Sequence, residues 1–335
     1  MRVAQLDGLR ALAVVMVFAH HSLGIPLLWS GVDLFFILSG YLITSILLRN
    51  RQSLGAMLTS FYSRRAERIL PAYVLFLLCA YPFVRQEWHH NWIYYVTFLQ
   101  NIPYAFHLGT MTALVPLWSL AIEQHFYLVW PLLVFFLPKK WLVPSMLALL
   151  IGTPVLRAVC TPLFSTSETI YAFTPFRMDA LAAGALMALT LPTSNAEKVI
   201  RWGKVSMVLG VVAYGVLAYH HPWFNRTVNL WPFNALAYSL NIAIFGGLLM
   251  CMIVANDGWL ARLLSNRALV WLGRISYCFY LFHLLVIEQM QHYFAKIPAA
   301  IAAFVVTTMI ASVSWVLLES PVLSLRASKR IKVAV

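Results

Sequence analysis

The sequence predicts an all-α fold, a polytopic membrane bundle of about ten transmembrane helices with both termini cytoplasmic. Composition is the first observation: of 335 residues, 61% are hydrophobic and 10% are charged, where globular chains carry roughly a quarter. A mean hydropathy of +0.78 calls for hydrocarbon rather than water as solvent over most of the length. The second observation is the recurrence of apolar stretches near the 20 residues with which a helix crosses a bilayer. The third is the segregation of Lys and Arg between alternate connections. Together they exclude a soluble two-domain enzyme, a disordered chain and a secreted disulfide scaffold.

Ten stretches qualify: 9–29, 31–48, 69–84, 115–137, 141–158, 174–191, 203–220, 233–254, 269–288 and 299–318. The first reads as a retained helix rather than a signal peptide. Asp7 and Arg10 interrupt its charged region, and no small-x-small cleavage site follows Ala19. The second holds small residues suited to close helix packing, Gly40 above all. Between the third and fourth, Trp92 to Pro103 is apolar but only about a dozen residues long, which favours an interfacial or re-entrant segment. Aromatic residues crowd the expected interfaces, as in Trp88, Trp92, Tyr94, Tyr95, Trp223 and Trp231. The longest loops, 85–114 and 159–173, both face outward. With no internal repeat or composition shift, residues 1–335 read as one domain.

The net charge of +13 could suggest nucleic acid, and the positions of the charges decide against it. With the N-terminus inside, the inner set is Arg2, Arg10, Arg49, Arg51, Arg64, Arg65, Arg68, Lys139, Lys140, Lys198, Arg201, Lys204, Arg262, Arg267, Arg274, Arg326, Lys329, Arg330 and Lys332. The outer set is Arg85, Arg157, Arg226 and Lys296, with Arg177 inside a span. The excess is a topology signal, and membrane lipid is the implied partner.

Ionisable groups inside a membrane are costly, so each is a functional candidate. In the first span Arg10 and His21 share a face with Asp7 and Val14, since eleven helical steps make three turns plus roughly 20°, about 16 Å along the axis. His20 points away. A histidine here could act as general base or simply be hydrogen-bonded between helices. In the fourth span Ser119 and Glu123, one step of four apart, face the same neighbour. Glu123 lies about 12 Å from the outer end and His21 about 18 Å from the inner end, so in a core of about 30 Å the two come to one level. That level suits a base with its orienting partner, or a structural ion pair.

Arg65 and Arg68 share one face at spacing three, directly before the third apolar run, and Arg10 opens the first span on the same side. Positive-inside anchoring accounts for such a cluster without a ligand; a cytoplasmic anion held bidentately by guanidinium groups is the alternative. Asp33 and Tyr41 in the second span, Arg177 and Asp179 in the sixth, and His283 in the ninth complete the candidates, with Ser119, for substrate contact. Arg177 and Asp179 stand about 200° apart around their helix and therefore address different neighbours. The pairs His89 with His90 and His220 with His221 do not share a face, so no metal site is expected. Cys79, Cys160, Cys251 and Cys278 follow no repeated spacing and read as buried small hydrophobes. No HExxH, P-loop or dinucleotide glycine motif is present.

Seven stretches in order across nearly the whole chain carry a resemblance. They are LDGLRALAVVMVFAHH from Leu6, GVDLFFILSGYLIT from Gly31, FYSRRAERILPAY from Phe61, LWSLAIEQHFYLVWP from Leu117, FRMDALAAGALMA from Phe176, GRISYCFYLFH from Gly273 and LESP from Leu318. The chain resembles the acyltransferase family 3 of integral membrane proteins, bacterial enzymes that O-acylate carbohydrates and other acceptors. The resemblance implies that His21, and not His20, is the catalytic histidine. It also implies that Arg65 and Arg68, in its RxxR pattern, handle a cytoplasmic acyl-coenzyme A donor, and that Glu123 is the glutamate of its Trp-Ser-x-x-x-Glu stretch. A ten-helix core and a stand-alone form without an appended extracytoplasmic domain are further implications. Gln124 and His125 depart from the family pattern, in which an acidic residue and glutamine are common.

The expected function is therefore transfer of an acyl group, acetyl as the expected case, from acyl-CoA to a hydroxyl of a saccharide-containing acceptor in the bacterial inner membrane. Acetyl-CoA is a co-substrate and no permanently bound cofactor is expected. Arg10, Arg65 and Arg68 would hold the donor, and His21, balanced by Glu123, would take the acceptor proton. A transporter or flippase, for which polar groups at the midplane are equally natural, and a non-catalytic partner subunit are the rival classes.

Overall fold

A computed structural model describes residues 4–49, 53–109, 113–221, 224, 226–254 and 258–324. Arg2, Arg51, Trp223, Arg326, Lys329, Arg330 and Lys332 of the readings above lie outside the described residues. The regular elements among the described residues are helices. They are α1 (Ala4–Leu23), α2 (Gly31–Arg49), α3 (Leu54–Ala80), α4 (Arg85–Val96), α5 (Asn101–Ala105), α6 (Leu117–Phe136) and α7 (Lys139–Cys160). After these come α8 (Glu168–Ala172), α9 (Met178–Thr190), α10 (Ala196–His220), α11 (Trp231–Val254), α12 (Trp259–Leu264), α13 (Arg267–Gln291) and α14 (Lys296–Ser314). Backbone polar groups in hydrocarbon must be satisfied within the segment, which is why apolar composition becomes helix here.

Eight of the described helices are long and apolar enough to cross a bilayer: α1, α2 with its preceding 3-10 turn, α6, α7, α10, α11, α13 and α14. The protein is a multi-pass membrane protein. Two of the ten expected stretches take other forms. The stretch 69–84 is the end of α3, whose first half carries Arg64, Arg65, Glu67 and Arg68 and so falls short of a full apolar span. The stretch 174–191 becomes a 3-10 turn (Thr174–Arg177) followed by α9, a helix of 13 residues. The first stretch is also cut short: Gly24, at φ +71°, ends α1 in the left-handed conformation and donates to the His20 carbonyl at 3.0 Å. Trp92 to Pro103 forms the end of α4 and most of α5, neither of which spans.

The interior is built from α13, α2, α1, α11 and α9, whereas α7, α10 and α14 turn residues such as Ile151, Leu209 and Ile301 outward to lipid. The tightest pairs are α10 with α11, α2 with α9 and α1 with α13. Small residues make the second and third possible. A side chain on Gly40 would fall on the Leu181 carbonyl, and one on Gly273 on the Asp7 carbonyl. Cys251 and Cys278 are buried as expected, Cys160 is half-buried, and Cys79 is instead exposed on an apolar groove between α3, α13 and α14. Arg157, counted above with the outer connections, is wholly buried near the end of α7.

Candidate functional site

The helices α1, α2, α3, α6 and α13 surround a cavity of about 100 Å³. Arg10, Arg65 and Arg68 line it with Glu123, and with the hydroxyl groups of Ser39, Ser119, Tyr127, Ser276, Tyr277 and Tyr280. The spacing that put Arg65 and Arg68 on one face of α3 thus aims both inward, and Arg10 enters from the start of α1. Arg65 stacks over Phe61 and Tyr127, 5.8 and 5.6 Å from the ring centroids. Arg68 lies 5.3 Å over Trp315 and donates to the Arg274 carbonyl at 3.4 Å. Trp315 opens a π-helical turn, Trp315–Glu319, that buries Glu319 and brings it a hydrogen bond from Ser314 at 3.4 Å. Such turns recur at functional sites.

Glu123 accepts a hydrogen bond from Ser39, and Tyr127, one turn further along α6, donates to Ser39 at 3.3 Å. The expected pairing of Glu123 with His21 is not formed among the described residues. His21 Nδ1 lies 3.0 Å from His283 Nε2, and His283 Nδ1 donates to the Tyr280 carbonyl at 2.5 Å. Equal depth put the carboxylate and the imidazole at one level, but α1 packs on α2 and α13 while α6 packs on α2 and α5. Height along a helix axis does not say which helices are neighbours.

Tyr280 joins the two groups. Its hydroxyl is 2.7 Å from that of Ser119, and both hydroxyls reach the Pro116 carbonyl, at 3.0 and 3.2 Å respectively. Its ring packs 5.3 Å from His283, which packs 5.0 Å from His21. The tautomers follow from these partners: a carbonyl only accepts, so His283 carries its proton on Nδ1. In its neutral form it then accepts from His21 Nδ1, which leaves the lone pair of His21 on Nε2, the form a general base requires. His20 turns aside to the Ile25 carbonyl, 3.0 Å away, as its helical face foretold.

Asp33, Arg177 and Asp179 line a different place. Arg177 pairs with Asp33, which also accepts from Asn241 at 2.8 Å, and Asp179 pairs with Arg157 at 2.7 Å. The prediction that Arg177 and Asp179 address different neighbours therefore holds. Arg157 also donates to the Asn234 and Phe176 carbonyls at 2.6 and 2.7 Å, and Tyr238 lies under both guanidinium groups, 4.8 Å from Arg157 and 4.3 Å from Arg177. Each charge meets an opposite one, and the cluster ties α2, α7, α9 and α11 together. Tyr41 is half-buried on α2 and lines neither place. On the flank beside α3, Tyr95 donates to the buried Glu87; burial, with the Glu87 carboxylate adding, holds the Tyr95 hydroxyl far above the ordinary tyrosine range and keeps it a donor. Among the described residues no group of three or more His, Cys, Asp or Glu side chains is placed to hold a metal ion.

Residues 3–319 match the family model described as an acyltransferase domain. The chain belongs to acyltransferase family 3. Similar proteins include the peptidoglycan O-acetyltransferase OatA of Listeria monocytogenes, 31% identical over 96% of this chain and 56% of the relative. Another is the O-acetyltransferase OatA of Staphylococcus aureus, 28% identical over 95% of this chain and 56% of the relative. The chain thus spans about half the length of the curated relatives it matches. No solved structure matches it.

Several members of the acyltransferase site are weakly marked in the sequence. Ser39 stands beside Gly40 among small residues that suit helix packing, and nothing in its own helix marks it as the partner of a carboxylate on α6. Tyr127 and Tyr280 carried a usable signal, since they stand one helical step from Glu123 and His283 on the same faces. Arg157 is the one charge in the 141–158 stretch, and its place next to the stretch's end puts it by position in the outer set although the fold buries it.

Proposed function

We propose that this chain is a membrane O-acyltransferase, moving an acetyl group from acetyl-CoA to a hydroxyl of a glycan acceptor in the bacterial inner membrane. The observation that carries the reading is one cavity bounded by three guanidinium groups and closed by Tyr280, behind which the His283 and His21 rings stand in line. The names of the O-acetyltransferase relatives support the acetyl group and the glycan.

Arg10, Arg65 and Arg68 hold phosphate oxygens of the donor by charge-assisted hydrogen bonds, so that its thioester reaches past Ser119 and Tyr280 toward His21. His21 Nε2 takes the proton of the acceptor hydroxyl as its oxygen attacks the thioester carbonyl. The tetrahedral intermediate collapses with loss of the thiolate, which recovers that proton as the free thiol. His283 keeps the His21 ring in the required tautomer. Glu123 balances the arginines, its Ser39 bond fixing its place.

The test is purified protein in lipid nanodiscs with acetyl-CoA and a peptidoglycan fragment, following free thiol and the acetyl ester. Both are expected in equal amounts, and His21→Ala lowers the rate about 100-fold or more. Movement of the glycan across the bilayer with no thiol released would assign the chain to transport instead.

A further inference from the structure

Next to the cavity lies a second one of about 250 Å³ that the transfer chemistry leaves unused. Its lining is Ile46 and Arg49 from the end of α2, with Phe61, Arg64 and Arg65 from α3. Three arginines from two helices therefore line one hollow. Anchoring at the membrane surface accounts for basic residues at helix ends, but it does not require them to converge on a concavity. Arg65 lines both hollows, so they share a wall.

We propose that this hollow is a binding site for a phosphate monoester, namely the 3′-phosphate on the nucleotide end of the donor. This rests on the reading of acetyl-CoA as donor. Coenzyme A presents phosphate at two places, the diphosphate that begins the pantetheine arm and the ribose 3′-phosphate. One arginine cluster meets one of them and leaves the other unmet. Arg49 and Arg64 supply the second cluster. The placement agrees: Arg65 lines both hollows, so a 3′-phosphate in the second stands beside a diphosphate in the first, as the single ribose that carries both requires. Guanidinium forks suit a phosphate monoester, whose oxygens accept bidentately.

The experiment compares acetyl-CoA with acetyl-3′-dephospho-CoA, in nanodiscs of phosphatidylcholine and in discs containing phosphatidylglycerol, reading thiol release. For the parent protein the KM of the dephospho compound is expected to exceed that of acetyl-CoA by about tenfold or more in both lipids. In Arg49→Gln with Arg64→Gln the two KM values converge, because the KM for acetyl-CoA rises. A parent ratio near one, or variants that keep the parent ratio, overturns the proposal while leaving the donor reading intact. Variants altered only in the anionic discs, with the ratio preserved, assign these arginines to lipid headgroups and likewise overturn it. Failure of the parent protein to release thiol from either thioester removes the donor reading, and this inference with it.

Discussion

In the histidine pair, His283 has both ring nitrogens committed and His21 has Nδ1 committed. His283 spends Nδ1 on the Tyr280 carbonyl and presents Nε2 to His21. Two outcomes follow at this scale. In His283→Ala the His21 ring loses the partner that fixes its tautomer, and acetyl-ester formation is expected to fall at least about tenfold with little change in donor KM; His283→Gln, which can still accept from His21, recovers part of the rate. Tyr280→Phe keeps the ring against Phe35 and His283 and removes the hydroxyl beside Ser119. Transfer is expected to drop about three- to tenfold, with thermal stability close to that of the parent. A donor KM that rises in step with the loss in His283→Ala would move that residue from base positioning to donor binding.

At the scale of elements, the site depends on helices brought closer than side chains ordinarily allow. A Cβ at Gly40 meets the Leu181 carbonyl and one at Gly184 meets the Ile37 carbonyl, so α2 and α9 touch backbone to backbone. Gly40→Val is expected to cost about 1–3 kcal/mol or more, seen as a lowered melting temperature and reduced folded yield in detergent. Gly215→Ala in α10, with open space around it, is expected to raise stability by about 0.5–1 kcal/mol. This level was well marked in the sequence: Gly40 reads as a packing residue, and the stretches 141–158 and 233–254 lie within α7 and α11. It was obscured where charge and apolarity share a helix. α3 carries the arginines in its first half and lipid-facing residues such as Val74 and Leu78 in its second, and hydropathy averages over both.

For the whole molecule, the cluster of Asp33, Arg177, Asp179 and Arg157 binds four helices in the interior, and a buried ion pair costs far more to break than to omit. Asp33→Asn leaves the Arg177 charge uncompensated, and a loss of about 3–5 kcal/mol in thermal unfolding is expected; Asp33→Leu together with Arg177→Met recovers most of it. Orientation is tested with single cysteines introduced into a chain whose own four cysteines are replaced. Lys139→Cys should react with an impermeant maleimide only from the inner face and Lys296→Cys only from the outer. Both native lysines are exposed. The sequence by itself determined the solvent, the helical conformation, the approximate spans and the inward faces of Arg10, Arg65, Arg68 and Glu123, because composition and a rise of about 1.5 Å per residue are properties of single segments. Only the tertiary structure decided that His21 meets His283, that Glu123 meets Ser39 and that Arg177 meets Asp33. Periodicity gives the height and face of a side chain on its own helix, whereas its partner depends on which helices pack side by side, and that is settled by close contacts such as Gly40 on Leu181 and Gly273 on Asp7.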